Sequence, residues 1–452
     1  MRRLSLAVLA VLVLAGCSGA PSATTPTTGS SSAPLYAFSP TSTPTTAPDG
    51  FGTEPSLLAA SDGAVYFSSV LGSATARGDG VWKTTDRGTT WTYLGKADYP
   101  FGGGDSDLEE LGDGTLLLTG QWRPAAPPAL PGVGSPYVTG GESVFRSTDK
   151  GATWTPFPTA GYLPAADRNW LAADPSTRTT AYLVYNDAAT GLMVGKTMDG
   201  GLSWLPPVVV QGSGSAAGLA GGPVGIAGDP VVDAQGTLYI PYGPGPGGGT
   251  VQLLFRSLDG GQTFSASTVR TTPAGATSGA IFSTVAADTN GELYFAWAET
   301  QDGAMRAFVA HSEDQGVTWT DPLAVSPLGM SIAFPWVVAG SPDHLAVGYY
   351  ASAGSFVPDA APANATWRPM VSFLPDIHDA TFVTVAATAT PNHIGPICTG
   401  GTGCSSGRTL GDFFELAVDP QGFVDLVWAD DTGSAQSNHV AFQVAGPVLI
   451  GP

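Results

Sequence analysis

Helix-period apolar patterning is nearly missing from this chain of 452 residues, and basic side chains are scarce, with 17 Lys and Arg against 37 Asp and Glu. The first absence excludes helical bundles and alternating α/β folds, whose helices need apolar residues every three or four positions. The second leaves a formal charge of −20, which repels phosphate backbones and excludes nucleic acid as a partner. Five histidines (His311, His344, His378, His393 and His439) show no metal-ligand spacing in the chain, so no metal and no cofactor is expected. There is no Gly-x-Ser-x-Gly elbow and no phosphate-binding loop, which leaves serine-hydrolase and nucleotide chemistry without a motif.

What the chain does have is 61 glycines, 38 prolines and many short β-branched and aromatic runs between them. That reads as an all-β protein with tight turns. Its first residues divide into a basic Arg2-Arg3, an apolar stretch over 4–14 and Leu14-Ala15-Gly16-Cys17. The apolar stretch is too short to span a bilayer. The four final residues resemble a bacterial lipobox, which implies a signal peptide over 1–17, an acylated (palmitate-type) Cys17 and an extracytoplasmic, membrane-anchored lipoprotein. An ordinary secretory leader that happens to contain Cys17 is the alternative. Residues 18–49 are rich in Ser, Thr and Pro and read as a disordered tether, with Leu35, Tyr36 and Phe38 as possible docking points. The domain is then drawn over 50–452. Cys398 and Cys404, in an oxidising compartment and separated by Thr-Gly-Gly-Thr-Gly, are expected to form a disulfide.

One pattern occurs five times: Thr84-Thr85-Asp86-Arg87-Gly88-Thr89-Thr90-Trp91, then segments of the same form around Asp149, Asp199, Asp259 and Asp314. Each copy has Ser or Thr first, Asp third, Gly fifth, Ser or Thr seventh and an aromatic eighth. An Asp that accepts backbone N–H bonds and a left-handed Gly suit a hairpin turn. The segments resemble the Asp-box, or bacterial neuraminidase repeat, of the sialidase-like superfamily. The resemblance implies a β-propeller of four-stranded antiparallel blades, with the box joining strands three and four and Asp86, Asp149, Asp199, Asp259 and Asp314 as structural residues. A second repeat, a strand–turn–strand unit, recurs at 57–70, 108–122, 171–185, 229–242, 285–297, 337–350 and 416–428. Seven copies predict seven blades, with six as the alternative.

In such a blade the connections from strand two to three, and from blade to blade, lie on the face opposite the boxes. Ligand-binding candidates on that face are Arg123, Arg168, Trp170, Tyr185, Tyr242, Trp297, Arg408, Asp412 and Trp428, a set of guanidinium and aromatic groups suited to a carboxylate or sugar. Interblade ion pairs and blade packing are the structural alternative for the same residues. The sialidase resemblance implies three arginines on a substrate carboxylate, a Tyr nucleophile with a Glu partner, and an Asp acid. Carried onto this chain these roles fall to Arg123, Arg168 and Arg408, to Tyr349 or Tyr350, to Glu299 and to Asp167. The chain departs from that family, because no Arg-Ile-Pro occurs and Arg77 is followed by Gly78-Asp79. The acidic run 105–110 reads as a solvated loop. The favoured function is recognition of a glycan or protein partner at the cell surface by a monomer. Exo-sialidase or a related glycoside hydrolase is the alternative.

Overall fold

The computed structural model describes residues 35–71, 78–98, 104–122, 141–161, 166–187, 190–212, 225–245 and 248–451. It is a seven-bladed β-propeller of antiparallel sheets. The innermost strands are Leu57–Ala59, Asp107–Glu110, Ala166–Ala173, Val231–Val232, Ser278–Ala287, Met330–Ala339 and Glu415–Val418 for blades 1 to 7. In blade 4 the inner strand is split, and Ile226–Ala227 pairs with the same neighbour. Pro230, which has no N–H to donate, lies at the break. Among the described residues no helix is long and apolar enough to cross a membrane.

Each box folds as one hydrogen-bonded unit between strands three and four. In the fifth copy Asp314 Oδ1 accepts the N–H groups of Val317 and Thr318 at 3.0 and 2.8 Å, and its Oδ2 accepts the Thr318 hydroxyl at 2.6 Å. Ser312 Oγ accepts the Gly316 N–H at 2.8 Å. These donors hold the Asp314 carboxylate at a pKa of about 2. The other four boxes repeat the contact from the seventh residue to the third. Glycine is required at the fifth position for two reasons. Gly316 has φ +77°, and a Cβ there would lie 2.4 Å from Leu254 of the preceding blade. The same close approach joins Gly151 to Leu94 and Gly201 to Leu117, so each box leans on the blade before it.

The ring closes with the N-terminal strand Ala37–Phe38, which pairs with Ser437–Ala445 as the fourth strand of blade 7. Tyr36 stacks on Phe373 of blade 6 with centroids 4.0 Å apart. The compact unit therefore begins at Leu35, and the boundary expected at residue 50 moves into the Ser/Thr/Pro-rich segment. The reason is tertiary: blade 7 has only three strands of its own, and its open edge takes up the first apolar residues of the tether. Across the same seam Arg87, from the box of blade 1, pairs with Asp419 and Asp425 of blade 7.

The core runs through the axis as well as between blades. Trp170, Phe282, Trp336 and Phe413, from blades 3, 5, 6 and 7, meet at the axis with Trp170 5.4, 5.8 and 4.9 Å from the other three. The Trp170 indole N–H also donates to Ala227 O at 3.1 Å. Truncation to Trp170→Ala is expected to cost about 3–5 kcal/mol, read as a lowered denaturation midpoint in guanidinium with the secondary structure retained below it.

Candidate functional site

Just before several innermost strands, or at a bulge within them, the chain turns through a left-handed residue that is not glycine. Glu54, Asp105, Arg168, Ile281 and Phe334 have φ of +51°, +48°, +61°, +75° and +56°. Each such residue costs about 1–2 kcal/mol, and together they turn side chains across the axis on the face opposite the boxes. Arg168 of blade 3 thereby reaches Glu54 of blade 1, Asp105 of blade 2 and Asp412 of blade 7, the first two at 3.4 and 3.3 Å. Blades 3 and 7 are not neighbours in the ring, so this contact crosses the axis.

Arg408 completes the knot. It bonds Asp412 through Nε at 2.9 Å and Glu54 through a terminal nitrogen at 3.0 Å. Arg168 also sits 4.7 Å above the Phe282 ring, the top of the aromatic plug. Burial raises the Glu54 carboxyl to a pKa of about 8, opposed by Arg168 and assisted by Asp105 and Asp412. Beside the knot Asp98 Oδ1 accepts the backbone N–H of Asp79 at 2.5 Å, and burial raises the pKa of both carboxyl groups.

Among the sequence candidates, Arg168, Arg408 and Asp412 come together, joined by Glu54 and Asp105. Trp170 lies directly beneath them in the plug. Arg123 lies outside the described residues, and for Asp167 the structure describes only its backbone pairing with Asn186. Tyr349 is buried 2.6 Å from Ser372 Oγ, and burial pushes its pKa up to about 12. Tyr350 is buried and stacks on Phe414 at 4.6 Å. Glu299 takes the Arg270 guanidinium in two bonds of 3.0 and 2.9 Å and accepts the Trp297 indole N–H at 3.2 Å. Its partners thus come from blade 4 and from its own strand. Tyr185, Tyr242 and Trp297 are buried within the blades.

The acidic run over 105–110 corrects the sequence reading: it is the innermost strand of blade 2 and its entry, with Asp105 and Asp107 buried, and not a solvated loop. Asp107 accepts the N–H of Leu171 in blade 3 at 2.7 Å. Glu54 and Asp105 escaped the sequence reading because their partners are 114 and 63 residues away. The signal that was available is their shared position, a few residues before each inner strand.

Among the described residues two cavities lie apart from the knot. The larger, about 650 Å³, is the axial channel opening on the box face, where Asp107, Glu109, Asp229 and Glu415 line the inner strands. Burial raises Asp107 to about 6 and Glu109 to about 8, and pushes Asp229 and Glu415 well above the usual range. The smaller, about 250 Å³, lies between the outer parts of blades 6 and 7 and is lined by Thr43, Thr388, Thr390, Trp428, Asp430 and His439. The Trp428 indole N–H has no hydrogen-bond partner among the described residues.

No family model and no curated protein matches this chain. Solved structures share its fold. A PL25 ulvan lyase, described as a new family of polysaccharide lyase, is 11% identical with a TM-score of 0.53, over 92% of this chain and 99% of that one. An α-L-arabinanase of Penicillium chrysogenum, complexed with arabinobiose, is 11% identical with a TM-score of 0.50, over 91% and 99%. At these identities the likeness is one of fold.

Glu54 predicts a direction for stability against pH. Its folded pKa lies above the unfolded value near 4.5, so its contribution is complete below that pH and is lost as pH rises toward about 8. Glu54→Gln is expected to flatten the decline in melting temperature between about pH 5 and 8. An unchanged slope in scanning calorimetry would assign the decline to other groups.

Proposed function

We propose that this chain is a lipid-anchored extracytoplasmic propeller that binds polysaccharide on the face opposite its boxes, as a recognition module and not as a sialidase. The observation that carries this reading is the state of the arginines. Arg168 and Arg408 are consumed by Glu54, Asp105 and Asp412, and gripping a substrate carboxylate would require breaking buried ion pairs. Removing one partner from such a pair costs about 3–5 kcal/mol. The hydrolase reading has further difficulties in Tyr349 and Tyr350, which are buried, and in Glu299, which is held by Arg270.

Support for a glycan ligand comes from two sides. The fold neighbours are named for action on polysaccharides, and the lyase has also been seen bound to a glucuronate–sulfated rhamnose segment. In this chain the cavity between blades 6 and 7 offers threonine hydroxyls, Asp430 and His439. Such a mixture of donors and acceptors suits a sugar. His439 is already oriented, with Nδ1 2.5 Å from Thr43 Oγ1 and Nε2 3.0 Å from Ser437 Oγ.

Affinity electrophoresis of the purified protein in gels containing neutral or uronate polysaccharides tests the proposal. We expect retardation by at least one of them, weakened about tenfold or more, the equivalent of about 1.4 kcal/mol, in His439→Ala. We also expect no release of the leaving group from a fluorogenic sialoside. Mobility unchanged in every polysaccharide, or sialoside turnover abolished by Arg408→Ala, would replace this reading with another. The anchor is tested separately: Cys17→Ser is expected to move the protein from the membrane fraction to the soluble exported fraction and to abolish labelling with radioactive palmitate.

A further inference from the structure

The geometry points to a transition-metal site on the box face, at the seam between blades 5 and 6, formed by His311, Glu313 and His378 and suited to zinc, with Asp343 beside His378. One ligand atom from each of the first three residues lies within 4.8 Å of the others. His311 Nε2 is 3.3 Å from Glu313 Oε1, and His378 Nε2 is 3.0 Å from Asp343 Oδ1. Around a tetrahedral zinc with bonds of about 2.0–2.1 Å, neighbouring donors sit about 3.3 Å apart. The His311–Glu313 edge of such a tetrahedron is therefore already in place. Two imidazoles with carboxylate oxygens select zinc and its neighbours over calcium or magnesium, which prefer all-oxygen shells.

The supporting residues hold these donors in position. Tyr294 stacks on His311, donates its hydroxyl to Asp288 at 2.9 Å and accepts the Asp343 N–H at 3.0 Å, linking the two blades under the site. The Thr320 hydroxyl lies 3.4 Å from His311 Nδ1, where it can take the proton that a metal-bound imidazole carries on its other nitrogen. His378 sits on a short 3-10 turn, Ile377–Asp379, pinned by buried Ile377 and by the Asp376 carboxylate on its backbone N–H. That turn occupies the place in blade 6 where the earlier blades carry a box. Glu313 is the second residue of its box, where the other four copies have Thr, Thr, Met and Leu. The His311 ring is buried while His378 and Glu313 are exposed, so an ion can enter from solvent. The competing account is two separate His–carboxylate ion pairs.

Isothermal titration of the chelator-treated, full-length protein with zinc chloride distinguishes the two. We expect one equivalent bound, unaffected by an about tenfold excess of calcium, and tetrahedral visible absorption bands when cobalt replaces zinc. His378→Ala and Glu313→Gln, both at exposed positions, should each weaken zinc binding about 10- to 100-fold. Zinc should raise the melting temperature of the parent protein and leave that of His378→Ala unchanged. Absence of binding at about 100-fold above a micromolar dissociation constant, or equal binding by both variants and the parent, would overturn the site in favour of plain ion pairs.

Discussion

Inner strands that run side by side around an axis do not hydrogen-bond to one another as a sheet, so each blade must find another way to hold the next. In this propeller the residue preceding the first inner aliphatic supplies a side-chain oxygen to the backbone N–H of the equivalent aliphatic one blade on. Ser56 takes Leu108, Asp107 takes Leu171, Thr284 takes Val337 and Glu415 takes Leu57, at 2.6 to 3.2 Å. A buried N–H left without a partner is costly, so these stitches fix the rotation of one sheet against the next. Blades 3 and 6 carry Trp170 and Trp336 at the same position and put ring surface there instead.

That choice of residues explains the unusual electrostatics of the axis. Asp107 and Glu415 serve as stitches and are therefore buried close to other acids, which raises their pKa values and makes the channel on the box side rich in carboxyl groups. On the other side the tryptophans close the axis, and Arg168 lies over them as a spoke between blades 1, 2 and 7. A guanidinium with five donors can serve three acids at once, which is why one arginine can tie so many blades. The arrangement gives the chain a closed centre on the face opposite the boxes.

How much of this could be read in the chain depends on the range of each interaction. The boxes were legible because all their bonds fall within four residues: the third position binds the seventh, and the first binds the fifth. The blade number followed from counting strand–turn–strand units, and the Cys398–Cys404 bridge, with its Cα atoms 6.0 Å apart, followed from a separation of six residues. Glu54 and Asp105 were not legible as partners of Arg168, since an acid before a strand looks the same whether it faces solvent or an arginine across the axis. His311 and His378 are 67 residues apart (378 − 311), and only the packing of blade 6 on blade 5 brings their rings to 5.1 Å.

Short-range chemistry in the amino-acid order was thus sufficient for the turns, the strands, their number and the all-β class, because each depends on residues that are neighbours in the chain. The closure of blade 7 by Ala37–Phe38, the ionic knot around Arg168 and the meeting of His311 with His378 were decided by the folded ring. A ring brings its first and last blades together and makes its axis common to all seven, and neither relation can be expressed as a spacing along the chain.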